Sequence, residues 1–138
     1  MPRPNPTSDG TETIHREYVL DVRIVERTTL DGTRYRFQAP HHDGETFDDP
    51  ETAELYADVY FDVNGFDEED VGDRGVPPAI IQAGRDTLTA YFLTQTYGDL
   101  NWVASYYGIK PERAERYVNR VEKRAKGIRA GVTERGSA

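Results

Sequence analysis

Cysteine is absent from the 138 residues, which excludes disulfides, thiolate metal sites and cysteine nucleophiles together. Apolar residues are few, at 36% of the chain, and no run of them approaches the roughly eighteen needed to cross a membrane. The opening stretch, MPRPNPTSDGTETIHRE, lacks the apolar core of a secretory leader, so the sequence predicts a cytoplasmic protein without membrane association. Also missing are a glycine-rich phosphate loop, a nucleophile elbow and a paired-histidine zinc helix. The sequence therefore predicts no enzyme: no catalytic residues, no metal and no cofactor. Nine Tyr, five Phe and one Trp still provide enough bulk for one modest core, or for a small domain with a helical appendage.

Lysine is scarce as well. Of the 17 basic residues only Lys110, Lys123 and Lys126 are lysines, against 25 Asp and Glu and a net charge of −8. This arginine-for-lysine usage on an acidic background resembles the small proteins of salt-loving archaea, whose acidic surfaces hold them in solution in concentrated salt. The charge is segregated. Residues 1–98 hold 8 basic and 20 acidic side chains (−12), whereas residues 99–138 hold 9 basic and 5 acidic (+4). That reversal points to a specialised basic surface in the last third.

Residues 1–15, with three prolines and little apolar content, read as a flexible tail. From Glu17 the segment YVLDVRIVER is β-branched and partly alternating, and reads as a strand. Asp31-Gly32 then predicts a hairpin turn, with Arg34 to Ala39 returning antiparallel. Asp48 or Asp49 can cap a helix near 50–62, opened by Pro50 and carrying a stripe of Leu55, Tyr56, Val59, Tyr60 and Val63. After an acidic loop, Pro77-Pro78 starts a helix expected to reach about Thr96, with Ile80, Ile81, Leu88, Tyr91 and Phe92 facing inward. The division predicted from this pattern is a tail at 1–15, an acidic α+β part at 16–75, a helical part at 76–130 and a second tail at 131–138.

In DLNWVASYYGIKPERAERYVNRVEKRAKGIRAG, Asp99 caps a short helix over Leu100–Tyr107, Gly108 is placed to end it in a left-handed conformation, and Pro111 opens a longer helix. Ala114, Tyr117, Val118, Val121, Ala125 and Ile128 recur at intervals of three or four and define its buried face. The segment resembles the helix-turn-helix family. There, a small residue in the first helix permits close approach, a glycine turns the chain and an aliphatic residue plugs the core. Those roles fall to Ala104, Gly108 and Ile109, continued by Ala114 and Tyr117. Tyr117 is bulkier than the usual aliphatic, and Glu112 and Glu115 are unfavourable near phosphate.

The resemblance implies a recognition helix at 111–129 lying in the major groove of double-stranded DNA. Lys110, Arg113, Arg116 and Asn119 would then stand near base edges, and Arg120, Lys123, Arg124 and Lys126 near phosphates. It further implies a transcriptional regulator acting as a homodimer. A protein-interaction or assembly module, whose basic helix docks an acidic partner, is the alternative. Trp102, Tyr106 and Tyr107 can stack on bases, but their helical spacing predicts core positions. His41, His42 and Asp43, with Glu45, Asp48 and Asp49 nearby, read as a polar loop rather than a metal site. The run Asp67, Glu68, Glu69, Asp70, Asp73 lacks the spacing of a calcium loop. The fold class these signals predict is α+β: a β-hairpin and helix followed by three helices.

Overall fold

A computed structural model describes residues 11–40, 42–66, 76–95 and 98–137. The fold is α+β, in the order β1 (Thr11–Glu17), β2 (Arg23–Thr29), β3 (Gly32–Ala39), β4 (His42–Phe47), α1 (Pro50–Asp62), α2 (Pro78–Ala83), α3 (Arg85–Leu93), α4 (Leu100–Tyr107) and α5 (Pro111–Ser137). The chain separates into two compact units, Met1–Glu54 and Leu55–Ala138, so the division falls inside α1 rather than near residue 75.

In the first unit the expected hairpin is the centre of a larger object, a four-stranded antiparallel meander ordered β1-β2-β3-β4. The β2–β3 pairing closes at Thr29 opposite Gly32, leaving Leu30 and Asp31 as the turn. Two expectations are corrected here. Residues 11–15 are not a tail but most of β1, an edge strand whose side chains are nearly all exposed and which therefore carries no apolar pattern. Residues 18–22 do not continue β2. They form a tight turn in which Leu20 and Asp21 both take φ near 60°, the geometry of a two-residue hairpin loop twisted to match its strands. Tyr18 N donates to Val22 O at 2.8 Å across its base.

Alternation along the strands sorts the sheet into two faces. Ile24 and Phe37, paired across β2 and β3, are fully buried, as are Ala53 on α1 and, nearly so, Phe47 on β4. His15 Nε2 meets Glu54 Oε2 at 2.8 Å and Arg16 approaches the same carboxylate at 3.7 Å, which ties β1 to the second turn of α1. Asp49 supplies the cap foreseen for α1, its Oδ1 accepting from Thr52 N at 2.8 Å. His42 is not in a loop: it opens β4, is buried, and sits edge-on to Phe37 at 5.1 Å. His41 and the acidic run at 67–73 lie outside the described residues.

The second unit is helical. Tyr56, Tyr91 and Phe66 form an aromatic cluster with ring centroids 5.4–6.4 Å apart. Around it Val59, Ile80, Ala90, Val103, Ala114 and Val121 are fully buried. Each large aliphatic or aromatic side chain buried in this way contributes on the order of 1.5–3 kcal/mol. The helix expected from Pro77 to Thr96 is two helices. Gly84, at φ 118° and ψ 175°, breaks it in a conformation that only glycine adopts comfortably. Ile80, Tyr91 and Phe92 are buried as expected and Leu88 is half-buried, whereas Ile81 is 47% exposed. The expected tail at 131–138 is instead helical through Ser137.

Candidate nucleic-acid interface

The segment from Asp99 to Lys126 is built from local signals that agree with one another. Asp99 Oδ1 accepts from Trp102 N at 2.7 Å, satisfying one of the orphan donors of α4. At the other end Gly108 takes φ 68° and ψ 36°, the left-handed conformation. Ile109 N donates to Ala104 O at 2.9 Å and Gly108 N to Ser105 O at 3.2 Å. This paired reverse bonding caps α4 and places Ile109 beside Ala104, a hydrophobic contact that commonly accompanies it. Pro111 starts α5 two residues later, where its missing N–H costs nothing.

Along α5 the buried stripe is the one read from the sequence: Ala114, Tyr117, Val121 and Ala125 are buried, Val118 and Ile128 half-buried. Ala104 is buried on α4, Ile109 is half-buried, and Gly108 is exposed at the turn. The opposite face bears Arg113, Arg116, Asn119, Arg120, Lys123 and Lys126, and Lys110 precedes the first turn, all of them exposed. Glu112 and Glu115 share it. Arg120 lies over the Tyr117 ring at 5.6 Å, a cation–π contact that leaves its guanidinium near the surface.

Arg124 departs from that pattern. Its Nε and Nη2 hold Asp62 at 2.6 and 2.9 Å, and its Nη1 holds Asp86 at 2.8 Å. Thr87 Oγ1 donates to Asp62 at 2.6 Å. Hydrogen bonds to Asp62 and then Asp86 raise the Arg124 pKa further. Burial pushes the Asp86 carboxyl up, but the hydrogen bond and charge of Arg124 outweigh it and hold the group below the usual carboxylate range. Asp62 closes α1, where the helix dipole disfavours an anion, and its side chain is only 4% exposed. Arg124 is thus the counter-ion that makes this carboxylate tolerable, and it leaves the set assigned to phosphate. Arg129 does similar work: it pairs with Asp58 at 2.7 Å and lies over Phe61 at 5.2 Å.

Comparison with known protein families, curated proteins and solved structures finds no match.

One further correction concerns the aromatic residues of α4. Val103 and Ala104 take the core positions and Tyr107 is half-buried, but Trp102 and Tyr106 are 38% and 61% exposed. They stack on each other at 5.4 Å with planes 12° apart, and both meet the edge of Phe92. Residues 102 and 106 are one helical turn apart, which explains the stack. Only tertiary structure decides which side of α4 faces inward. The Arg124 and Arg129 pairs span 62 and 71 positions of sequence and carry no local signal.

Proposed function

We propose that the chain binds double-stranded DNA as a helix-turn-helix protein, with α5 as recognition helix, and acts in the cytoplasm as a homodimeric transcriptional regulator without a cofactor. The observation that carries this reading is the capped glycine turn at Gly108 that sets α4 against α5 while leaving five cations and Asn119 exposed on the outer face, with Lys110 exposed just before it. In this reading Arg116 and Asn119 stand in the middle of the exposed face, opposite the Ala114–Tyr117–Val121 stripe, where base edges lie. Lys110 and Arg113 flank them at the start of the helix, and Arg120, Lys123 and Lys126 reach phosphates. Arginine favours guanine and asparagine favours adenine. Glu112, near the middle of the same face, suits the amino group of cytosine better than phosphate. A salt-loving host would require such base contacts, because phosphate contacts weaken steeply as salt rises.

The exposed Trp102–Tyr106 stack favours a second reading, in which that aromatic patch and the basic face dock an acidic protein. Selection from a random duplex library separates the two. DNA reading gives an enriched sequence, and Arg116→Ala with Asn119→Ala relaxes that preference by about 1–3 kcal/mol for each base that is no longer read. Lys123→Ala and Lys126→Ala weaken all duplexes alike and flatten the salt dependence, by roughly 0.9 in log–log slope for each phosphate that is no longer neutralised. Folded wild-type protein that retains no duplex at low salt would sink the DNA reading in favour of the docking module.

A further inference from the structure

Helix α4 differs from the rest of the chain in carrying no charge. Charged residues make up 30% of the sequence, yet between Asp86 and Lys110 there is one, Asp99, and its carboxylate is engaged in capping the helix. Within Leu100–Tyr107, Val103 and Ala104 are buried, Leu100 and Tyr107 half-buried, and Asn101, Trp102, Ser105 and Tyr106 exposed. Positions 101 and 105 are one turn apart, as are 102 and 106, so the exposed residues form a single face. Two of them are the Trp102–Tyr106 stack, backed by Phe92. A cation does lie against α4, Arg85 over Tyr107 at 5.0 Å, but Tyr107 does not belong to that face.

Enrichment in aromatic residues and depletion of charge mark the centre of a protein–protein interface. A face without charge gives neither an acidic nor a basic partner anything to select it by, but it suits a second copy of this chain. Each copy carries a net charge of −8, so two copies repel, and here they can meet without like charges confronting one another. The ends of α4 supply complementarity. Asp99 is exposed before the first turn and Lys110 is exposed beyond the last, with about 12 Å of helix between them. When two copies of α4 pack antiparallel about a two-fold axis, the Asp99 end of each faces the Lys110 end of the other, and the helix dipoles oppose. The axis passes near Ser105, close to the middle of that span.

We propose that the exposed face of α4 is a self-association surface, at which two copies of the chain pack antiparallel through Trp102 and Tyr106, with Asp99 and Lys110 paired across the rim. The inference rests on the homodimer in the DNA-binding reading and gives it a surface, but it does not rest on DNA. The face is small, so the dimer is weak and forms at roughly micromolar concentration. Salt strengthens it, because screening the repulsion between two acidic chains outweighs the loss from two exposed ion pairs.

The test is sedimentation of the full chain, without nucleic acid, over a range of concentrations at low and at molar potassium chloride. Wild type is expected to pass from monomer to dimer, and to do so at lower concentration in molar salt. Ser105→Glu and Ser105→Arg each set like charges against one another at the axis. Each should raise the dissociation constant at least roughly tenfold, while an equimolar mixture of the two associates again. Lys110→Glu should weaken association as well, and thermal melts confirm that the variants fold. Wild type that stays monomeric at every concentration in molar salt overturns the proposal, as does a folded Ser105→Glu that associates like wild type. Ser105 variants that lose association and do not recover it on mixing overturn the two-fold packing. Should neither of them fold, unchanged association by Lys110→Glu overturns it alone. Since no DNA is present, a protein that dimerises in this way but retains no duplex counts only against the reading of α5.

Discussion

Arg124 shows how one side chain can be claimed by two demands. It sits one residue past Lys123, in a run of cations that the sequence offers to DNA, yet its donors are spent on Asp62, Asp86 and Thr87. Removing it strands a carboxylate that is almost wholly buried. Arg124→Met should therefore lower stability by about 2–4 kcal/mol, read from denaturant unfolding, while leaving the salt dependence of any duplex binding unchanged. Lys126→Ala should do the reverse. The cluster also sets a response to acid. Because the folded-state pKa of Asp86 is depressed, its contribution is present above the ordinary carboxylate pKa and is lost as pH falls through the lower folded value. Unfolding free energy should be flat above about pH 5 and fall below about pH 4, more steeply in wild type than in Arg124→Met. Equal slopes in the two proteins would remove Asp86 from the account.

At the scale of elements, what is legible in the sequence is what local chemistry dictates. Asp49 with Pro50, Asp99, Gly108 and Pro111 each act within a few residues of themselves, and α1, α4 and the start of α5 fall where those residues put them. Strand β1 is not legible, because an exposed edge strand with Ile14 as its one large aliphatic residue looks like a polar tail. The turn before β2 is hidden for a different reason: Leu20 and Asp21 adopt left-handed φ without the Asn or Gly that normally announces it. That concealment is a testable strain. Replacing Leu20-Asp21 by Asn-Gly should stabilise the protein by about 0.5–1 kcal/mol, since Leu20 is 59% exposed and gives up little packing. Gly108→Ala should cost about 1 kcal/mol from backbone conformation alone, a Cβ there meeting nothing within 4 Å. A much larger loss would mean that the turn is crowded in solution.

Across the whole molecule the dominant fact is the segregation of charge, −12 against +4, within a chain of net −8. Self-repulsion of the acidic part opposes compaction and is relieved by salt. Raising potassium chloride from low to molar concentration should therefore raise the melting temperature, by roughly 4 °C or more for each kcal/mol gained. A melting temperature that falls with salt would argue that ion pairs such as Arg124–Asp62 outweigh the repulsion. The sequence could show the charge excess but not its arrangement, because the placing of Arg27 opposite Arg34 depends on the register of β2 and β3. Two units also need not melt together, and the molecule contains its own means of telling them apart. Trp102 is the single tryptophan of the chain, and it lies in the helical unit against the Tyr106 and Phe92 rings. Its emission is an intrinsic optical label for that unit alone, silent about the sheet, so a fluorescence melt set beside a far-ultraviolet one reports whether the chain unfolds in one step or two.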